Sequence, residues 1–145
     1  MNAYSELKSK HEKEFNEFPM FFAFSNEQFE EGMAKFGLTK FDINQIYKFG
    51  DTGGYYLRTD GERLHEMLTR HDKEMQDAVD ADETGEGFIF DMFDYELANH
   101  EYGYTHDTSD TLDALGLTPE DIEKDQRLLH GFILAKKRQY EMEEA

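Results

Sequence analysis

The fold class is decided by the segment Ile46-Tyr47-Lys48-Phe49-Gly50-Asp51-Thr52-Gly53-Gly54-Tyr55-Tyr56-Leu57-Arg58. Its two arms, 46–49 and 55–58, are rich in aromatic and apolar residues, and a Gly-rich turn separates them. This pattern predicts a β-hairpin. Upstream, the short apolar run Met20–Phe24 predicts a buried strand. A strand and a hairpin are therefore expected to form a small antiparallel sheet in the N-terminal half.

Two helices are predicted around this sheet. Apolar side chains at helical spacing predict a first helix over residues 3–17, which Pro19 ends. Ser25 is predicted to cap a second helix, with Gln28 at its third position and Gly37 at its C-terminal end.

The C-terminal half is predicted to be helical. Asp60 is predicted to cap a long helix, which breaks at Gly85 and Gly87. Gly103 is predicted to interrupt the helical region again. Thr118-Pro119 is typical of a helix start, with an N-cap followed by proline at the first position. The remaining predicted helices are residues 88–101, residues 107–115 and a last helix to about residue 143 with Leu129, Phe132, Ile133 and Tyr140 inward. Together these elements predict one α+β domain, residues 1–145.

Composition excludes several classes of protein. The 145 residues include 13 Phe and 8 Tyr, enough aromatic side chain to build a core despite the high charge. The absence of Cys excludes a disulfide scaffold and a thiolate metal site. No apolar run reaches the roughly 18 residues of a membrane-spanning helix. The first residues lack the basic and apolar regions of a signal peptide, so the cytoplasm is the expected location.

The negative charge is concentrated in one window, Glu74–Glu123. This window contains 16 of the 33 Asp and Glu residues and no Lys or Arg, in a chain with a formal net charge of −18. Such a field repels nucleic acids and anionic membranes and favours basic protein surfaces. Crowding of like charges also predicts raised pKa values for these carboxylates.

The acidic window predicts a protein-binding face. Carboxylates on rigid helices can imitate the phosphates of duplex DNA, which carries about one charge per 1.7 Å of axis. The residues expected to form this partner-binding face are Asp91, Asp94, Glu101, Asp107, Asp110 and Asp113. The alternative explanation is a solvated face that only keeps the protein soluble.

Two other clusters raise the alternative of a metal site. The string Asp80–Asp91 has oxygen side chains at loop positions 1, 3, 5 and 12 and Gly85 at position 6, which is EF-hand spacing, although Asp91 stands where Glu is usual. Glu96 and His100 lie one helical turn apart and suit metal binding or acid–base catalysis. A hydrogen bond at a helix end explains the same pair without a metal.

No catalytic motif accompanies these clusters. The sequence has no Walker loop, dinucleotide fingerprint, nucleophile elbow or Cys nucleophile. The triplet Asp51-Thr52-Gly53, which aspartic proteases also contain, is explained by the hairpin turn. We therefore expect no enzymatic activity, no metal and no cofactor.

The stretch Thr84–Thr105, continuing into Asp110–Gly116, resembles short acidic proteins of bacterial phages and integrated mobile elements. The segment Phe21–Leu38 and the hairpin share this resemblance. That group has no assigned activity, so no functional residue is carried over. The resemblance implies a context, in which small acidic proteins antagonise nucleic-acid defences of the host such as restriction or CRISPR enzymes.

These observations favour a non-enzymatic acidic binding protein. It is expected to act as an inhibitor of the anti-CRISPR or anti-restriction type, a DNA mimic that occupies the basic nucleic-acid-binding surface of a host defence enzyme. It is not expected to bind nucleic acid or membranes itself. A metal-binding module or metal-dependent enzyme that uses Glu96 and His100, or the Asp80–Asp91 loop, is the alternative. A structural homo-oligomer is a third interpretation.

Overall fold

The computed structural model describes residues 2–144 and confirms the α+β fold, with a small antiparallel sheet in the N-terminal half and a helical C-terminal half. The strands, in the sheet order β1-β3-β2, are β1 (Phe21–Phe22), β2 (Ile46–Phe49) and β3 (Gly54–Leu57). The helices are α1 (Ala3–Asn16), α2 (Asn26–Lys35), α3 (Gly61–Ala81), α4 (Phe88–Asn99), α5 (Tyr102–Thr105), α6 (Ser109–Leu115), α7 (Pro119–Lys124) and α8 (Gln126–Glu144). Short 3₁₀ turns at Ile43–Gln45 and Arg58–Asp60 precede β2 and α3.

The chain divides into two compact units. The sheet unit comprises Glu12–Asp72, and the helical unit comprises the described residues up to His11 and from Lys73 onward. The boundary falls inside α1 and α3, which supply residues to both units. The single domain expected from the sequence stays a prediction. None of the helices described is both long and apolar enough to cross a membrane.

The sheet unit is built around the predicted hairpin. β2 and β3 pair antiparallel, and β1 pairs antiparallel with the other side of β3. The ring of Phe21 stacks on that of Tyr55 with centroids 5.2 Å apart. Gly32 of α2 makes room for this ring, because a Cβ there would lie 2.0 Å from it. Phe21 and Met33 are buried together in the core of this unit.

The predicted buried strand is shorter and less buried than expected. β1 contains only two residues, of which Phe21 is buried. Phe22 is 48% exposed and Phe24 is 78% exposed. Successive side chains of a strand point to opposite faces of the sheet. Because the core lies on one face only, every second residue of this apolar run points away from the core.

The capping residues predicted for α2 and α7 are confirmed. Ser25 Oγ accepts a hydrogen bond of 3.2 Å from the N–H of Gln28 at the start of α2. Gly37 and Gly116 follow α2 and α6 with φ of +72° and +67°, a backbone region that glycine adopts without strain. Thr118 forms a reciprocal capping box at the start of α7.

The helical unit is packed around α4. Phe93 and Leu97 are fully buried, and the ring of Phe93 lies 4.9 Å from that of Phe132 on α8. α8 packs closely against the backbone at Gly85 because Gly131 has no side chain. A Cβ on Gly131 would lie 2.6 Å from the carbonyl oxygen of Gly85. Burial of each such large apolar side chain stabilises the fold by about 1.5–3 kcal/mol. The buried core residues of this unit are Tyr4, Ile89, Met92, Phe93, Leu97, Leu112, Ile122, Leu128, Phe132 and Ala135.

The last predicted helix differs from the structure in its phase. The chain leaves helical geometry at Asp125, with φ −122° and ψ 110°, and α8 starts afresh at Gln126. Phe132 faces inward as predicted, whereas Ile133 is 50% exposed and Tyr140 is 45% exposed. The buried positions of α8 are Leu128, Gly131, Phe132, Ala135 and Gln139. Gly103 is a second correction, because it lies within α5 and does not interrupt a helix.

The connection between α3 and α4 is held by one carboxylate and one guanidinium. Asp82 accepts hydrogen bonds from four backbone N–H groups, and one of these donors, Ile89, lies in the first turn of α4. Arg127 Nη1 donates to the carbonyl oxygens of Val79 and Asp82, at 3.1 and 2.8 Å, where α3 ends. Each side chain thus satisfies backbone groups that a helix end leaves without partners.

Candidate functional site

The acidic window contains exposed carboxylates and carboxylates that are engaged within the fold. Of its 16 acidic side chains, 11 belong to exposed residues. The less exposed acids are Glu74, Asp82, Asp91, Asp94 and Glu96. A partner-binding face draws on the first group, because these are the carboxylates that a donor of another protein can reach.

Two of the predicted site residues, Asp91 and Asp94, belong to the engaged group. The carboxylate of Asp91 accepts a hydrogen bond of 2.9 Å from the backbone N–H of Ala3 at the start of α1. Asp94 accepts from Arg138 Nη1 at 2.6 Å and from Gln139 Nε2 at 2.8 Å, both on α8. The predicted outer face of α4 is therefore not a row of free carboxylates. Both residues hold the helical unit together.

The other predicted site residues lie at or beyond the end of α4 and are exposed. Asp110 and Asp113 stand three residues apart on α6, whose opposite side buries Thr111 and Leu112. Neither carboxylate makes an ion pair or a side-chain hydrogen bond within residues 2–144. Asp107 lies just before α6, where its Oδ1 accepts the N–H of Ser109 at 2.9 Å. Glu101 follows α4 in a left-handed conformation, with φ +57°.

Two further exposed carboxylates, Glu120 and Glu123, lie on α7. They also stand three residues apart, and Ile122 between them is buried. Neither has a side-chain partner in the described part of the chain. Neither residue belongs to the partner-binding face predicted from the sequence. The sequence does contain a signal for this pair. Two acids three residues apart lie on the same side of a helix, and the one apolar residue between them, Ile122, indicates that this side faces solvent.

We call this set of exposed carboxylates the acidic face: Glu101, Asp107, Asp110, Asp113, Glu120 and Glu123.

The pKa values of three carboxylates in the window are lowered, which corrects the expectation of raised values. The N–H and hydroxyl of Ser109 lower the pKa of Asp107, and those of Thr118 lower the pKa of Asp121. At Asp82 partial burial opposes ionisation, but the backbone N–H groups around it outweigh burial and lower its pKa. Local hydrogen bonds to the charged form thus dominate over like-charge repulsion at these positions.

Glu96 is the buried acid of the window and lies in a polar cluster inside the helical unit. Its Oε2 accepts hydrogen bonds from the hydroxyl of Tyr4 at 2.6 Å and from Lys8 Nζ at 3.3 Å. Its Oε1 is buried and has no hydrogen-bond partner in the described part of the protein. His100 Nε2 lies 3.9 Å from this oxygen, beyond hydrogen-bond distance. The predicted Glu96–His100 pair is therefore adjacent in space but contains two candidate ligands only.

The side chains of the Asp80–Asp91 loop are committed to other contacts. Asp82 binds backbone N–H groups, Asp80 accepts from Gln76 at 2.9 Å, and Asp91 binds the backbone of Ala3. These carboxylates do not converge on one point. Within residues 2–144, no group of three or more His, Asp or Glu side chains is arranged to hold a metal ion.

Comparison with known proteins gives one match. No curated protein and no solved structure matches the chain significantly. A family of unknown function, DUF7659, matches residues 3–138, which includes both units and all of the acidic face. Because this match spans most of the 145 residues, the chain belongs to DUF7659, a family of unknown function.

Proposed function

We propose that this protein is a non-enzymatic inhibitor whose acidic face imitates nucleic-acid phosphates and occupies the basic nucleic-acid-binding surface of another protein. The observation that carries the proposal is a set of exposed carboxylates, on or beside short helices, that have no side-chain partner within residues 2–144: Glu101, Asp110, Asp113, Glu120 and Glu123. A carboxylate that no internal donor neutralises keeps its full charge for an external one.

The distribution of charge supports this proposal. Residues 1–11 and 73–145 carry 21 acidic and eight basic side chains, whereas Glu12–Asp72 carries 12 acidic and seven basic ones. The excess is thus in the helical unit. Side chains three residues apart on a helix have Cβ atoms about 5–6 Å apart, so α6 and α7 each present a close pair of carboxylates. Such a surface attracts Lys and Arg side chains that line a nucleic-acid channel.

The biological setting is part of the same proposal. The resemblance of Thr84–Thr105 and Asp110–Gly116 to short acidic proteins of phages and mobile elements supports a role against a restriction or CRISPR enzyme in the cytoplasm of a bacterial host. These enzymes bind duplex DNA or guide–target duplexes through positively charged channels, which is the chemistry that the acidic face complements.

The metal-dependent alternative has less support. Glu96 is held by Tyr4 and Lys8, and the carboxylates of the Asp80–Asp91 loop bind other groups. A divalent cation in such an oxygen site commonly takes six or more ligands. The solvated-face alternative predicts that no protein binds the acidic face at all. A competition assay distinguishes this alternative from mimicry.

The experiment is a competition assay with a panel of purified restriction endonucleases and CRISPR effector complexes. Binding of each enzyme to its duplex is measured with increasing amounts of the protein at low and physiological salt. Mimicry predicts that at least one enzyme loses duplex binding, that excess duplex restores it, and that inhibition weakens as salt rises. Inhibition that neither salt nor excess duplex changes contradicts mimicry. Failure to displace duplex from any enzyme favours a solvated face.

A pair of charge-matched variants locates the binding surface. The face variant is D110N/D113N/E120Q/E123Q, and the control variant, which removes four charges from exposed positions of the sheet unit, is E12Q/E31Q/E66Q/D72N. Both variants keep side-chain size, so folding is expected to survive. The proposal predicts that the face variant loses inhibition while the control variant keeps it. Equal losses in the two variants would show that net charge alone is responsible.

A further inference from the structure

An open groove of about 510 Å³ lies between the end of α4, α5 and the last turns of α8. It is lined by Ala98, Glu101, Gly103, Tyr104, Gln139, Met142 and Glu143, all in the helical unit. The walls combine apolar surface with two carboxylates, and no Lys, Arg or His is among the lining residues.

The aromatic and apolar side chains of the groove are unusually exposed for their size. Tyr104 is 78% exposed and Met142 is 56% exposed. Glu101 and Glu143 are exposed at the groove and make no ion pair within the described residues. A groove that combines exposed apolar and aromatic surface with a few charged groups has the composition of a ligand site, which makes this groove a candidate binding pocket.

The groove is held in shape by its backbone. A Cβ on Gly103 would lie 2.9 Å from the carbonyl oxygen of Gln139, so α5 rests directly on α8. Glu101 adopts φ +57°, a conformation uncommon for a residue other than glycine, and its carbonyl oxygen accepts the N–H groups of Tyr104 and Thr105 at 3.0 Å each. The amide of Gln139 is fixed by its hydrogen bond to Asp94. A preformed groove of this kind loses little conformational entropy on binding.

From this chemistry we infer that the groove binds an arginine side chain of the protein partner, with the guanidinium between Glu101 and Glu143 and against the ring of Tyr104. A guanidinium is planar, donates hydrogen bonds to carboxylates and stacks on aromatic rings. Its aliphatic stem covers apolar surface such as Met142. Arginine is also one of the three side chains, with Trp and Tyr, that are enriched at the energetic hot spots of protein interfaces.

This inference rests on the proposed function for the nature of the partner, since a nucleic-acid-binding surface is rich in arginine. The groove shares Glu101 with the acidic face, but Tyr104, Met142 and Glu143 lie outside it. The two are therefore tested by separate experiments. A groove that binds no guanidinium leaves competition for a DNA-binding enzyme unaffected, and a failed competition assay leaves the groove's ligand preference intact.

The probe for the groove is N-acetyl-arginine amide, added to the full-length protein at low salt and followed by two-dimensional NMR of the backbone amides. The neutral control is N-acetyl-citrulline amide, which has nearly the same shape without the charge. We expect arginine to shift the amides of Gly103, Tyr104 and Met142 in a saturable manner at millimolar concentration, and citrulline to leave them unchanged. Equal shifts with both compounds, or shifts that do not saturate, would overturn the inference.

Variants distinguish the groove from general electrostatic attraction. E101Q/E143Q removes two charges at the groove, and E120Q/E123Q removes two on α7. E101Q/E143Q is expected to weaken arginine binding at least about fivefold, because one ion pair near 4 Å in water contributes about 1 kcal/mol. E120Q/E123Q is expected to weaken it less than about twofold. Tyr104→Leu is expected to weaken binding about two- to fivefold, and Tyr104→Phe, which keeps the ring, to restore it. Equal losses in the two double variants would contradict a specific groove.

Discussion

The hydroxyl of Tyr4 donates a hydrogen bond of 2.6 Å to Oε2 of Glu96, and this bond ties α1 to α4 within the helical unit. Tyr4 is 5% exposed and Glu96 is 2% exposed, so both side chains are buried in the core. Only one of the two carboxyl oxygens of Glu96, Oε2, accepts hydrogen bonds within the described residues. Lys8 Nζ supports the same oxygen at 3.3 Å. A buried carboxylate is costly unless it is paired and hydrogen-bonded, which makes this contact a structural one.

Tyr4→Phe is expected to lower the free energy of unfolding by about 1.5–3 kcal/mol, because it removes a hydrogen bond to a charged and buried acceptor. Urea denaturation of the wild type and the variant gives this difference directly. Tyr104→Phe is the control: its side chain is 78% exposed, and its free energy of unfolding should stay within about 0.5 kcal/mol of the wild type. Equal stabilities of Tyr4→Phe and wild type would show that Lys8 alone satisfies Glu96.

Asp82→Asn is expected to make stability less dependent on pH in the acid range. Partial burial works against its charge, but the N–H groups of Ile89, Gly85, Thr84 and Gly87 hold the folded pKa of Asp82 below its ordinary value of 3.8. The stability that its charge contributes is therefore fully present above pH 3.8 and is lost as pH falls through the lower folded pKa. Free energies of unfolding measured between neutral pH and pH 3 test this. A variant that loses stability with acid as steeply as the wild type would contradict the assignment.

Gly85→Ala is expected to destabilise the protein more than Gly116→Ala. Both glycines have positive φ, +90° and +67°, so each substitution costs about 1 kcal/mol or more in backbone strain. At Gly85 the added Cβ would also lie 2.2 Å from the carbonyl oxygen of Arg127, whereas at Gly116 it meets open space. Thermal unfolding of the two variants should rank them in this order. The reverse ranking would mean that the α3–α4 connection rearranges at little cost.

Calcium is expected to shift the melting temperature no more than an equal concentration of magnesium. Asp80, Asp82 and Asp91 of the loop with EF-hand spacing already accept hydrogen bonds within the protein. A ligand that binds only the folded state raises the melting temperature with its concentration. A rise specific to calcium, abolished by Asp80→Ala, would favour the metal-binding alternative.

Local sequence signals predicted much of the fold. Ser25, Gly37 and Thr118-Pro119 mark helix ends through capping contacts within a few residues, and the structure confirms them. The turn Gly50–Gly54 likewise fixes the hairpin. These signals succeed because every partner in them is close in sequence.

The phase of the last helix was missed although a local signal for it exists. Asp125 caps α8 by accepting the N–H of Arg127 at 3.0 Å, so the helix restarts there and Ile133 turns toward solvent. An Asp before a new apolar stripe is a helix-start signal. A periodicity carried through from Pro119 ignores the restart and places the wrong side chains inward.

The acidic face could be predicted only in part. Asp110 and Asp113 are exposed as expected, because short amphipathic helices expose the side opposite their apolar residues. Asp91 and Asp94 have the same local pattern, but their partners lie 88 and 44 residues away along the chain. Pairing over such distances depends on the packing of α1 and α8 against α4, which no local pattern encodes.

The measurement that tests phosphate mimicry most directly is the association rate with an enzyme that the protein displaces from duplex DNA. Rates are compared by stopped flow for the wild type, the face variant D110N/D113N/E120Q/E123Q and the charge-matched control E12Q/E31Q/E66Q/D72N. Steering by complementary charge acts on association and fades as salt screens it. We predict that at low salt the face variant associates about tenfold more slowly than the wild type, that the control stays within about twofold, and that the difference shrinks at high salt. A face variant that associates as fast as the wild type at low salt would contradict the account.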